Sequence, residues 1–308
     1  MRVWVTGATG FVGRALVARL LLERVSQAVA VMPVSRAACS VLGLQACTPE
    51  AMLEAFSKDD VIVYAAGLAH LPEPSGEAQR RAFWRANCEE PCMIARQAAR
   101  QGVRRFVFVS SAKVQGERTE GSAFTEQDEP DPRGAYAESK WAGEQGLRAI
   151  AGETGLELVI VRPPLVYGLG VKANFALMMR WLKRGVPLPL ASIRNRRSLI
   201  FLENLVEFLW LCCRHPAAAG ETFLVSDGVD LSTPALLRAL ASAQGGKARL
   251  WPCPPGLLRF GGALVGKRAM AERLCDSLQL EDDKARWLLS WKPPVSVAEG
   301  LRRTARGE

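Results

Sequence analysis

Thr6-Gly7-Ala8-Thr9-Gly10-Phe11-Val12-Gly13 follows a short apolar run, Val3 to Val5, and opens an amphipathic stretch, Phe11 to Leu22. The order reads as strand, tight glycine turn, helix. Gly7 permits the turn, Gly10 lets backbone come close to a ligand, and Gly13 lets the helix pack on the strand. A turn of this kind aims backbone N–H groups and a helix N-terminus at one point, which suits a pyrophosphate. The spacing is G-x-x-G-x-x-G, one residue longer in its first gap than the common dinucleotide fingerprint. On its own the match is weak. It gains weight from a second motif downstream, Tyr136-Ala137-Glu138-Ser139-Lys140.

Working outward, apolar strand-like runs recur at Val29–Pro33, Val61–Ala65, Phe106–Val109 and Leu158–Val161. Helix-like stretches separate several of them: Phe11–Arg24, Glu77–Gln101 and Ala135–Ala151. That alternation predicts an α/β fold of Rossmann type, a doubly wound parallel sheet with helices on both faces. After about Pro163 the prolines and glycines become denser, and short strands mix with helices at Glu203–Arg214, Thr233–Ala243 and Val297–Arg306. The division expected is a dinucleotide-binding part, residues 1–165, and a smaller C-terminal lobe, residues 166–308, that covers substrate. Some segments of the lobe can complete the sheet.

Composition narrows the function. The 308 residues are 49% hydrophobic, enough for a sizeable core, and carry a formal charge of +9. Such a balance favours anionic ligands, although a merely basic surface gives the same count. The arginines are dispersed and no finger or aromatic-basic motif occurs, so nucleic acid is not expected as a partner. The eight cysteines form no C-x-x-C pair and there are only two histidines, His70 and His215. A reduced, metal-free cytoplasmic protein is the simplest account. The first strand begins at the N-terminus, so no signal peptide is expected. Leu199–Cys213 is apolar but contains Glu203, Asn204 and Glu207, which makes it a core helix and no membrane span.

Tyr136 and Lys140 stand at i and i+4, on one helix face. An ammonium beside a phenol favours the phenolate, lowering a pKa that starts near ~10. The tyrosine then serves as a proton donor or acceptor near neutral pH. Ser111 follows the Phe106–Val109 strand, at the edge of the sheet where ligands bind, and could orient a substrate oxygen toward Tyr136. Ala65-Ala66-Gly67 ends another strand and leaves room for a ribose and phosphate, although simple strand-end packing gives the same composition. An acidic residue usually follows the second strand to hold the ribose 2′-OH of NAD, yet none occurs between Glu23 and Glu50. Ser35-Arg36 stands there instead, and an arginine can take a 2′-phosphate. The cofactor expected is therefore NADP(H) or NAD(H), with Arg36 favouring the former.

Together Thr6–Gly13, Asp60–Gly67, Asn87, Phe106–Gly116, Tyr136–Lys140, Arg162–Gly168 and Arg197–Leu205 resemble the extended short-chain dehydrogenase/reductases. These are the nucleotide-sugar epimerases, dehydratases and reductases. Ser110–Val114, Val171–Phe175, Asn195–Leu199 and Phe223–Gly228 look most similar to bacterial reductases of UDP-4-keto-6-deoxy-N-acetylglucosamine. Such enzymes make UDP-N-acetylquinovosamine for surface polysaccharide (O-antigen). The resemblance implies catalytic Ser111, Tyr136 and Lys140, with Lys140 also holding the nicotinamide ribose. It implies cofactor contacts at Gly7, Gly10, Phe11, Val12, Gly13, Arg36, Ala65, Ala66, Gly67, Asn87 and Pro163. For a UDP-sugar substrate it implies Ser111, Lys113, Asn174 and Arg197; Arg194 and Arg196 beside Arg197 make a solvated basic loop an alternative. Lys113 and Gln115 stand where 4-epimerases carry Thr and Tyr, and could shape specificity, a merely exposed Lys113 being the alternative. The 4,6-dehydratases place an Asp-Glu pair just after the active-site Ser or Thr, whereas Ala112 and Lys113 stand here, which argues against dehydration. Net 4-ketoreduction and 4-epimerisation remain the two enzymatic readings, and a non-catalytic dinucleotide sensor a third. A homodimer through the Glu77–Gln101 and Ala135–Ala151 helices is typical of relatives.

Overall fold

The computed structural model describes every residue except 27, 28, 70–75, 172, 265, 267 and 308, and leaves out the side chains of 24–26, 173, 174, 176 and 269. Six strands form one parallel sheet: β1 (Arg2–Thr6), β2 (Ala30–Val34), β3 (Val61–Tyr64), β4 (Arg105–Val109), β5 (Glu157–Arg162) and β6 (Thr222–Leu224). Their order across the sheet is β6-β5-β4-β3-β1-β2. The chain leaves β1 outward to the edge strand β2, then returns to β3 on the other side of β1. This reversal makes a crevice at the carboxyl ends of β1 and β3, the place where open α/β sheets take ligands. The Rossmann-type doubly wound sheet expected from the sequence is the fold observed, with strand ends shifted by a residue or so. Pro33 lies in β2 and opposes Val5, and an edge strand is where a missing N–H is tolerated.

Strand alternation sorts the core into two layers. Val3, Val5, Val61, Val63, Val107, Val109, Val159 and Val161 face one way, against α1 (Phe11–Ser26) and α5 (Leu202–Arg214). Trp4, Ile62, Tyr64, Phe106, Phe108, Leu158 and Ile160 face the other. That aromatic face receives Ile94 of α3 (Glu90–Arg100) and Leu147 and Ile150 of α4 (Gly134–Thr154). The valine face is shallow and lets helices sit close; the aromatic face needs the longer reach. A helix α2 (Glu77–Trp84) runs into α3 through one turn of π-helix, Arg85–Glu89. A single long helix over Glu77–Gln101 was the expectation. The extra residue in the turn changes the hydrogen-bond ring and re-aims Asn87.

Two elements of the second half, β6 and α5, belong to the sheet and its valine face. Other parts gather a third apolar cluster of Tyr167, Phe175, Phe201, Leu236, Leu237, Leu240 and Leu301. A short parallel pair, Leu165–Tyr167 with Leu199–Phe201, leads into it. The buried Asp227 carboxylate ties it together, accepting from Tyr167 Oη (2.7 Å), Asn204 Nδ2 (2.7 Å) and the Phe201 N–H. Beyond it lies a helical hairpin of α6 (Pro255–Leu264) and α7 (Arg268–Cys275). No helix among the described residues is long and apolar enough to cross a membrane.

The glycine turn is as tight as its sequence implies. Gly7 has φ +66°, and a Cβ on it would sit 2.8 Å from the Ala66 backbone. A Cβ on Gly13 would lie 2.2 Å from the Gly7 carbonyl oxygen, so α1 packs on the turn only because position 13 has no side chain. Gly13→Ala should therefore cost at least about 1–3 kcal/mol as an overpacked backbone contact. It should lower the thermal midpoint and weaken dinucleotide binding together; an unchanged midpoint on calorimetry contradicts this account of the turn.

Candidate active site

The first turn of α1 begins at Phe11, where the leading N–H groups of a helix have no partner within it. Gly10 N–H donates to the Gly7 carbonyl (2.8 Å) and Arg14 N–H to the Gly10 carbonyl (3.0 Å). Gly10, Phe11, Val12 and Gly13 thus surround one helix N-terminus. Across the crevice, Gly7 touches Ala65 and Ala66. The next residue, Gly67, faces Asn87 and Lys140: a Cβ there would be 2.8 Å from Asn87 Oδ1 and 3.0 Å from Lys140 Nζ. The structure therefore brings the glycine turn, Ala65–Gly67, Asn87 and Lys140 to one edge of the sheet.

Asn87 is fully buried in the π-helical turn. Its Nδ2 donates to Ser139 Oγ (3.0 Å) and to the Leu68 carbonyl (3.3 Å), while its buried Oδ1 has no hydrogen-bond partner. An acceptor held by two bonds and left open toward Gly67 suits a ribose hydroxyl. With the anion-binding turn beside it, these residues fit a dinucleotide. Helix α4 can approach Asn87 because position 143 is glycine; a Cβ there would be 2.1 Å from the Asn87 carbonyl oxygen.

Tyr136 and Lys140 lie on one face of α4, as their spacing requires. Lys140 is 4% exposed and donates from Nζ to the Val109 carbonyl (2.8 Å), with Nζ 4.7 Å from the Phe108 ring centroid. Burial pulls its ammonium down to about 7, and only Glu144, one turn on, works in the opposite sense. Burial also pushes the Tyr136 phenol up, partly offset by hydrogen bonding with Ser111. The lowered phenol expected from a neighbouring ammonium is not what the protein chain alone produces, because desolvation outweighs the Ser111 hydrogen bond and the Lys140 ammonium is directed to the Val109 carbonyl. Phe83 packs edge-on to Tyr136 at 6.5 Å.

Ser111 caps a 3₁₀ turn, Ala112–Val114, with Oγ accepting from Lys113 N–H (3.3 Å). Pro163 fixes the same turn, since its carbonyl accepts from Ala112 N–H (2.9 Å). Beneath lies a group the sequence reading missed. Glu144 and Arg162 are buried and paired in bidentate fashion, Nε to Oε1 at 2.9 Å and Nη2 to Oε2 at 2.5 Å. Ser110 Oγ donates to Glu144 (2.5 Å), and Arg162 Nη1 donates to Gln115 Oε1. Gln115 is 1% exposed and also donates to the Thr125 and Asp128 carbonyls. It is thus a structural brace between Arg162 and the 125–128 loop.

The remaining candidates are placed less simply. Arg36 follows β2 but pairs with Glu90 at the start of α3 (2.6 Å), and Arg85 approaches the same carboxylate (3.3 Å). Lys113 pairs with Glu117 (2.7 Å), which Arg273 also approaches (3.9 Å). Arg197 donates from Nη1 to the Arg273 and Asp276 carbonyls, and burial lowers its guanidinium against the pull of Asp276 and Glu117. Lys113, Arg197 and Arg273 so form one basic group around Glu117, and the sequence reading included the first two. Asn174 lies in the helix Ala173–Lys183, but its side chain is outside the described residues. Among the described residues no cluster suits a metal ion.

A family described as "NAD dependent epimerase/dehydratase family" matches residues 3–226. The chain belongs to that family. It is an NAD(P)-dependent enzyme of the extended short-chain dehydrogenase/reductase type. A UDP-glucose 4-epimerase of Vibrio cholerae is 38% identical over 99% of this chain and 94% of that protein. A ceramide reductase of Caulobacter vibrioides is 31% identical over 97% of this chain and 88% of its own length. Among solved structures, a UDP-glucose 4-epimerase of Thermus thermophilus in complex with NAD superimposes with a TM-score of 0.77. It is 22% identical and covers 100% of this chain and 98% of that one, which establishes the shared fold.

The buried lysine makes a pH test. Between pH 7 and the ~10 of a free lysine, the unfolded chain holds a proton that the folded chain releases, so folding stability rises with pH across that window. Below pH 7 the burial penalty is present in full. Lys140→Met removes this titration. Its thermal midpoint relative to wild type should be most favourable near pH ~6 and fall back by pH ~9, whatever constant offset the lost Val109 bond adds. Parallel melting curves at both pH values, with an equal offset, contradict a lowered Lys140.

Proposed function

We propose that the enzyme reduces a 4-keto group on a UDP-linked 6-deoxy-hexosamine, using NADPH in preference to NADH. The observation that carries the reading is the set of Tyr136, Lys140 and Ser111 at the carboxyl edge of the sheet, beside the Asn87–Gly67 cradle. When bound, the nicotinamide supplies or accepts a hydride at a sugar carbon. Ser111 orients the sugar oxygen, and Tyr136 delivers the proton that this oxygen needs as the ketone becomes an alcohol. On this reading Lys140, within reach of Gly67, holds the ribose. Dehydration is disfavoured because the buried, apolar Ala112 stands where an acid is required, and Lys113 is ion-paired. The Lys113–Arg197–Arg273 group supplies forked and point charges for a diphosphate. On this reading residues 166–308 provide the substrate side, while β6 and α5 serve the sheet. Two copies pairing through the α2–α3 stretch and α4 in the cytoplasm is part of the same proposal.

Ser35-Arg36 after β2, with no acidic residue in that loop, supports exchangeable NADP(H) and thereby net reduction. The epimerase reading is supported by the Vibrio cholerae relative, whose name gives 4-epimerisation. Cofactor stoichiometry separates them. With UDP-4-keto-6-deoxy-N-acetylglucosamine, reduction consumes one NAD(P)H per product, and Tyr136→Phe should lower turnover by about 10²–10⁴-fold. Interconversion of UDP-N-acetylglucosamine and UDP-N-acetylgalactosamine with no net cofactor use would instead establish the epimerase. Glu90 offers a second test, because its carboxylate competes with a 2′-phosphate for Arg36. Glu90→Gln should raise the NADPH-to-NADH ratio of kcat/KM severalfold; an unchanged ratio removes Arg36 from cofactor selection.

A further inference from the structure

The hairpin of α6 and α7 is unlike the rest of the surface. Every described residue of α6 lies outside the core. Leu257 (61% exposed), Phe260 (64%) and Leu264 (73%) stand at i, i+3 and i+7 and form one stripe, while Leu258 turns inward to the third apolar cluster. Trp251 (50% exposed) enters the same hairpin, its backbone held to Leu188 and Ala191. Isolated exposed apolar side chains are ordinary, but a contiguous row of large ones on a soluble surface marks an interaction site.

Charge identifies the partner. Lys247–Asp276 carries six basic residues and two acidic, which is four of the nine net positive charges of the chain in under a tenth of its length. Arg259 pairs with the half-buried Asp276 and Arg268 with Glu272, while Lys247 and Arg249 are exposed. An apolar stripe on a short helix, an exposed tryptophan nearby and a basic surround are the features of a segment lying in the plane of an anionic bilayer.

We infer that the α6–α7 hairpin docks the enzyme on the surface of an anionic phospholipid membrane, with Leu257, Phe260 and Leu264 entering the headgroup region. The inference is independent of the reaction proposed above. The hairpin joins the site through the Arg273 carbonyl, which accepts from Arg197, so docking sets the basic group beside the membrane plane.

The test is co-sedimentation of the full-length protein with phosphatidylcholine vesicles, with and without phosphatidylglycerol, at low and high salt. Binding should require the anionic lipid and weaken with salt. The triple variant Leu257→Ser, Phe260→Ser, Leu264→Ser should lower the partition coefficient roughly tenfold or more, with an unchanged thermal midpoint and unchanged turnover on soluble substrate. Absence of binding to either vesicle overturns the inference, as does equal binding by the variant. So does a variant that only shifts the sedimentation coefficient from dimer to monomer, which would assign the face to a second copy of the chain.

Discussion

The active-site edge depends on one buried ion pair. Glu144 and Arg162 meet between α4 and the end of β5 with almost no access to water. Bringing both charges out of water is costly, and removing either partner alone typically destabilises a protein by about 3–5 kcal/mol. The pair persists because its geometry is bidentate and its spare lone pairs and protons are used, by Ser110 on one side and Gln115 on the other. Those bonds join α4 to the backbone on either side of Ser111. Since Tyr136 and Lys140 are on α4, the pair fixes the distance between the tyrosine and the serine. It also leaves a negative charge one turn from Lys140, which restrains how far burial can neutralise that lysine.

Close backbone approaches complete the constraint. Gly13 against Gly7 sets where α1 begins, and Gly143 against Asn87 sets how near α4 comes to the π-helical turn. In each case a methyl group would meet a carbonyl oxygen, at 2.2 Å and 2.1 Å. The crevice at the β1–β3 reversal is therefore defined by glycines on two different helices. One helix presents its N-terminus and the other presents the lysine.

This explains what could be read from the sequence. The sheet was legible because its central strands are buried on both faces and are written as short apolar runs, Val61-Ile62-Val63-Tyr64 being the clearest. Gly7–Gly13 and Tyr136–Lys140 were legible because their spacing is the geometry. The π-helical turn at Asn87 was not, since a shift of one hydrogen-bond register needs no special residue. Glu144–Arg162 escaped notice for another reason: its partners come from separate elements, and two charges in a buried layer run against the pattern used to find such layers. The only sign was a glutamate one turn beyond Lys140 on the same helix face. The bracing role of Gln115 is equally invisible in the sequence, because its bonds to Arg162 and to the 125–128 loop are tertiary.

Arg36, Lys113 and Arg197 show a further limit, and a logic. The sequence offers Arg36 for a 2′-phosphate, Arg197 for a diphosphate and Lys113 for a substrate contact, and each is held by the chain's own acceptors: Glu90, the carbonyls of Arg273 and Asp276, and Glu117 one turn on. Arg36 and Glu90 are 54 residues apart, so no local pattern could announce the pairing. These contacts keep the cations oriented without neutralising them. The Arg36 and Lys113 pairs are partly exposed, and such pairs are worth only about 0–1 kcal/mol. A phosphate with two or three charged oxygens can therefore displace the carboxylate at small cost, since Glu90 keeps Arg85 beside it and Glu117 keeps Arg273. Selectivity between ligands follows from how far each carboxylate must give way, so that the acids beside the basic residues, as much as the basic residues themselves, set which anion is accepted.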